Sequence, residues 1–157
     1  MSTTGPQFPG DQSKYPGMRV AEALVWRAFL ADQGAAYDRF DYNVRMGLGV
    51  EPPATIVEPY RSASIAASML RGDAIGWRGG SPTIFEVERY AKAEAVGQLL
   101  AYRAAWEAAN TTTASPAIAL VAGDYSPAIM PALIEHGIDL YVYPVNFSSL
   151  APARLQQ

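Results

Sequence analysis

Cysteine is absent from the 157-residue chain, and histidine occurs once, at His136. The first absence removes disulfides and thiolate metal sites and is compatible with a reducing compartment. The second excludes a multi-histidine zinc centre within one chain. Lysine is scarce, with Lys14 and Lys92 alone, and the formal net charge is -3. That balance argues against a free-standing nucleic-acid binder, which meets backbone phosphates with clustered Lys and Arg. A local strip around Arg71, Arg78, Arg89 and Arg103 is the remaining way to build such a surface. No apolar run approaches the ~18 residues of a transmembrane helix, so no membrane partner is expected. The opening residues, MSTTGPQFPGDQSKYPGM, lack a basic region followed by a hydrophobic run, so no secretion signal is expected and the location reads as cytoplasmic. Gly79 and Gly80 are turn glycines, because no Lys-Ser/Thr follows them as in a phosphate-binding loop.

What is present suits one folded domain. The length supports a hydrophobic core, and the apolar share of 50% is ordinary for a globular chain. Residues 1–17 form an extended arm rich in Gly, Pro, Ser and Thr, residues 18–144 the core domain, and residues 145–157 a tail. Terminal segments of that composition are ordered only when something holds them, which assigns the arm and tail to a protein partner or a neighbouring copy of the chain.

Periodicity predicts a helix over Met18 to Gln33, stopped at Gly34, with Glu22 beside its buried face. Phe40, Tyr42, Val44 and Met46 alternate with polar residues, predicting a strand with one buried face. A short extended piece is expected around Thr55 to Glu58 and an irregular or short helical piece over Ser62 to Leu70. Asp73 to Trp77 and Thr83 to Glu88 read as two strands joined by a tight reversal at Arg78-Gly79-Gly80-Ser81-Pro82. A long helix follows from about Ala91 to Ala109, with Val96, Leu99, Leu100, Arg103 and Trp106 on its apolar side. Ala117 to Ala122 is a fully apolar central strand, Pro127 to His136 a helix stopped by Gly137, and Ile138 to Tyr143 the closing strand. The order predicts an α/β fold with a mixed sheet covered by helices.

Three carboxylates stand out on this layout. Glu86 and Glu88 are two residues apart and leave one face of a strand. Asp73, at the start of the neighbouring strand, approaches them across the ladder. Hard divalent ions such as Mg2+ or Mn2+ prefer oxygen donors, so the trio is a candidate metal seat. The plainer reading makes Glu86 and Glu88 the polar face of an amphipathic strand and Asp73 the end of a turn. Like charges beside a largely buried strand need a cation or an arginine, and Arg71 or Arg89 is the alternative to a metal.

With these residues in this order, the chain resembles the PD-(D/E)XK nuclease superfamily, the restriction-endonuclease-like fold, over roughly Val20 to Tyr143. The resemblance places Glu22 as the acidic residue of the first helix, Asp73 as the metal-binding aspartate and Glu86 as the glutamate of the Glu-x-Lys element. Gln98 and Tyr102, in AVGQLLAYR, match the Gln-x-x-x-Tyr motif of the RecB-like branch, where such residues look onto the active site. The chain departs from the pattern at Glu88, which stands where a lysine belongs. Glu88 can serve as an added ligand or as a general base, Lys92 can reach back as a displaced lysine, or catalysis has been abandoned and the fold kept. The resemblance therefore implies a metal-dependent nuclease acting on DNA. Its alternative is a non-catalytic assembly protein on the same fold, such as a bacteriophage head-tail junction component located in the virion.

Overall fold

The computed structural model of the chain describes residues 15–111 and 114–148. The expected arm and tail therefore lie outside the described residues, except for 15–17 and 145–148. Among the described residues, no helix is long and apolar enough to cross a membrane.

Five strands form one mixed sheet in sequence order: β1 (Arg39–Met46), β2 (Leu70–Arg78), β3 (Ser81–Ala91), β4 (Ala117–Tyr125) and β5 (Ile138–Val142). The β1–β2 and β2–β3 pairs are antiparallel, and the β3–β4 and β4–β5 pairs are parallel. Helix α1 (Val20–Gln33) covers one face; α3 (Ala93–Ala109) and α4 (Met130–His136) cover the other. The result is the single α/β domain, a mixed sheet flanked by helices, that the order of elements implies. The long parallel crossover from β3 to β4 is made by α3, as a parallel pair requires.

Both sheet faces are buried. Trp26 and Phe29 of α1 pack with Phe40, Phe85 and Val87 on one side. Val96 and Leu99 of α3 pack with Ile75, Ile84, Ile118 and Leu120 on the other. The β2–β3 hairpin closes through Gly79 and Gly80, whose φ values of 54° and 83° suit a two-residue turn between the paired Arg78 and Ser81.

Several expectations are corrected. Phe40, Tyr42, Val44 and Met46 do not share a face: the first two join the α1-side core, and the last two pack on the α3 side. Asn43, at φ 50°, turns the strand between them without changing its register with β2. Gly72 lies near the same bend, where a Cβ would run into the Met46 methyl. Thr55 to Glu58 forms turns instead of an extended piece, whereas the short helical piece expected after it is present as α2 (Tyr60–Ser68), with no buried residue. The first helix begins at Val20 instead of Met18 and ends at Gln33 as expected, with Gly34 as its C-cap opening a 3-10 turn. On α3 the buried side is Ala95, Val96, Leu99 and Tyr102, so Tyr102 belongs to the core face and Trp106 to its margin.

Candidate metal centre

The site is built by a fork in the sheet. β2 and β3 pair from Arg78↔Ser81 to Ala74↔Phe85, and there the ladder stops. Beyond that point β2 stays with β1 as far as Leu70↔Met46, whereas β3 stays with β4 as far as Ala91↔Tyr125. The next β2–β3 pair would have been Asp73 and Glu86, so the two carboxylates sit where the strands part. A backbone donor left by the separation must find another acceptor. Asp73 Oδ2 supplies it, accepting from the Val87 backbone N–H at 2.8 Å.

Glu86 is buried, at 5% exposure, on the face where its β4 partner is the fully buried Leu120. The Tyr102 hydroxyl donates to its carboxylate. The second oxygen, Oε2, is shut from solvent and has no hydrogen-bond partner. Burial, then the charges of Asp73 and Glu88, push Glu86 up to about 9. Burial also raises Asp73, to about 7, against the opposing Val87 hydrogen bond and with help from Glu22 and Glu88. Half-buried Glu88 is raised by burial and by Glu22, while Arg19 pulls it down. Tyr102 is raised by burial and then by the Glu86 and Asp73 charges.

The residues expected at the site therefore divide. Asp73, Glu86, Glu88 and Glu22 feel one another's charge, and Tyr102 reaches them from α3. Glu22 also has a local task, since its Oε2 accepts from the Arg19 backbone N–H at 2.7 Å and caps α1. Lys92 is the exposed N-cap of α3, with Nζ 5.7 Å from the Tyr90 ring centroid. Gln98 is exposed one turn before Tyr102.

No group of three or more His, Cys, Asp or Glu side chains among the described residues is arranged to hold a metal ion. The closed trio expected from Asp73, Glu86 and Glu88 is thus not assembled. Glu88 lies about 7 Å further along the strand than Glu86, within the field of Arg19.

Two neighbours of the fork escaped the sequence analysis. Arg19 is the cation that acts on Glu88, in place of the expected Arg71 or Arg89; its only signal was a spacing of three from Glu22. Glu94, in the first turn of α3, adds a further negative charge near Glu88. Three of the four arginines of the expected strip have separate partners. Arg78 lies over the Tyr37 ring, Arg89 over Phe147, and Arg103 donates to the His136 carbonyl.

No protein-family model and no curated protein matches the chain. Among solved structures, it is similar to a repair endonuclease from Pyrococcus abyssi, with 16% identity and a TM-score of 0.48 over 83% of this chain. The match covers 49% of that protein, so the chain spans about half its length.

Proposed function

We propose that the fork is a divalent-metal-dependent site for phosphodiester hydrolysis and that the protein is a nuclease acting on DNA. One observation carries the reading. Two carboxyls, Asp73 and Glu86, stand just past the last paired residues of the ladder within one another's field, and Glu86 Oε2 is buried without a partner. Left alone, such a buried carboxyl keeps its proton, as the rise of Glu86 to about 9 reflects, and a cation is what would let it ionise in place. Mg2+ needs only one or two protein carboxylates beside waters and phosphate, so this pair fits Mg2+ or Mn2+ without a third side chain. When bound, such an ion lowers the pKa of a water and neutralises charge on the phosphate.

The chain's own residues do the rest. Val87 N–H aims the Asp73 carboxylate, and Tyr102 holds Glu86. Glu88 is half-buried with a raised pKa, a suitable general base for an attacking water. Arg19 supplies positive charge at the end of β3 where the family lysine is missing. Gln98 faces solvent, free to orient the strand being cut. The RecB-like branch remains part of the proposal, with Tyr102 as its contact to the carboxylates.

A second reading has one observation in its favour: the trio is not closed into a metal seat. With Glu88 in place of lysine, that suits a non-catalytic assembly protein, in a virion, that binds partners or copies of itself through its termini. Cleavage of plasmid and linear DNA with and without Mg2+ or Mn2+ decides between them. The expected result is metal-dependent cleavage that disappears in the Asp73→Ala, Glu86→Ala double variant. Cleavage that survives the double variant would sink the mechanism. A ring on sizing and electron microscopy, with no metal taken up, would establish the assembly role.

A further inference from the structure

A second feature lies at the other end of α3. Two hollows meet there, one of about 500 Å³ between the β2–β3 hairpin and the segment leading into β4, the other of about 350 Å³ against β1. Trp77, Trp106 and Asn110 line both. The larger hollow falls within the usual range for ligand pockets, about 300–1,000 Å³.

The two indoles are held differently. Trp77 is pinned: its Nε1 donates to Asp41 Oδ2 at 2.9 Å, and the Arg39 guanidinium lies 4.4 Å over its ring. Trp106 packs against it with ring centroids 5.9 Å apart and planes at 58°. The Trp106 Nε1 is shut from solvent and has no acceptor. One fixed and one unanchored indole, both half-buried, thus stand beside an open cleft whose further wall includes Pro82.

We propose that this cleft receives an unpaired nucleobase from a single-stranded part of the nucleic acid engaged at the fork; this rests on the reading of the fork as a nucleic-acid site. A planar heterocycle matches indole and proline walls, and base–aromatic stacking is indifferent to sequence. Every base edge carries an acceptor, and Trp106, which lines both hollows, has a donor that lacks one. Exposed Arg45 lines the smaller hollow, where it can meet a phosphate beside the base, while Arg78 on the larger one is held over the Tyr37 ring. The helix supplies the link to the fork, because Trp106 follows Tyr102 by one turn, about 6 Å along the axis. A base stacked inside a duplex cannot enter, so the cleft selects single strands.

The test uses the full chain in EDTA, which separates binding from cleavage. Labelled oligonucleotides are compared as a single strand, as its duplex, and as an abasic chain of the same length, with deoxyadenosine monophosphate as a fourth probe. The single strand should bind about tenfold more tightly than the abasic chain. Ala117→Phe fills the cleft from an exposed strand position, and Trp106→Leu removes the ring and the donor. Each should weaken single-strand binding by about tenfold and leave abasic binding unchanged, with the fold checked by circular dichroism.

Equal affinity for the single strand and the abasic chain overturns the proposal, as do two folded variants that bind like the wild type. Monophosphate binding as tight as the strand assigns the cleft to a free nucleotide and overturns the strand. Base-dependent binding without metal-dependent cleavage upholds the cleft and removes the nuclease reading. Cleavage without base dependence does the reverse.

Discussion

The two faces of the sheet are built from different materials. The α1 face is aromatic and closed: Trp26 stacks on Phe29, meets Phe40 and Phe85 edge-on, and donates its Nε1 to the Tyr42 hydroxyl at 3.2 Å. Burial pushes Tyr42 up to about 12, so it stays a neutral partner at any physiological pH. The α3 face is mainly aliphatic and contains two unsatisfied atoms, Glu86 Oε2 and Trp106 Nε1. One face holds the domain together by well-packed burial. The other leaves a buried carboxyl oxygen and a buried indole N–H without partners, a loss of satisfaction that the proposed ligands would repay.

The largest test of this contrast compares two tryptophans. Trp26 is fully buried with its N–H satisfied, so Trp26→Ala should cost about 3–5 kcal/mol by denaturant unfolding. Half-buried Trp106, with an unsatisfied N–H, should cost about 2 kcal/mol when changed to alanine. Equal losses would break the distinction between a structural face and a functional one.

Legibility in the sequence follows the same division. The apolar run of β4, the Gly79-Gly80 reversal and the long helix before β4 were readable because each rests on local chemistry. The facing of β1 was not, because a single left-handed φ at Asn43 reverses the alternation; asparagine tolerates that conformation but does not require it. The sequence showed a sheet covered by helices but not which polar residues that cover would bury. Asp41, expected on a polar side, is buried at 5% exposure beside Arg39 and Trp77. At the site, Asp73, Glu86 and Tyr102 were readable as a pattern of types on ordered elements. Arg19 was not, since its nearness to Glu88 comes from how α1 docks across the end of the sheet. The three-residue seat is not formed, with Glu88 one full strand repeat beyond Glu86 and within the field of Arg19.

The second test is smaller and depends on pH. Glu86 and Asp73 hold protons more tightly when folded than when unfolded, since burial raises both. Their stabilising contribution is full below the ordinary carboxylate range and is lost as pH rises through about 7 for Asp73 and about 9 for Glu86. In EDTA the unfolding midpoint should therefore fall from pH 5 to pH 9. Glu86→Gln removes the charge, and at pH 9 should be more stable than wild type by about 1–2 kcal/mol, with little difference at pH 5. Mg2+ should stabilise the wild type increasingly toward pH 9 and leave Glu86→Gln nearly unchanged. A wild type as stable at pH 9 as at pH 5 without metal would show that the α3 face carries no strained carboxylate.

The smallest stability effect, and the sharpest functional one, is expected at Glu88. Half-buried and spaced away from the Asp73–Glu86 pair, it can change without emptying the core, so Glu88→Lys should shift unfolding by less than about 1 kcal/mol. Two charges move in opposite senses: the new ammonium is relieved of repulsion toward Glu22 and Glu94 but meets Arg19. Metal affinity should persist, at least weakly, because Asp73 and Glu86 remain. If the fork is a nuclease site, the lysine adds positive charge where the transition-state phosphate gathers negative charge, so cleavage should be preserved or increased. If the protein is an assembly component, no metal concentration should bring cleavage. Calorimetric metal titration of wild type and variant, run beside the cleavage assay, reads both quantities. A folded Glu88→Lys protein that loses metal and activity together would make Glu88 an indispensable ligand, and the two-carboxylate account of the fork would then be wrong.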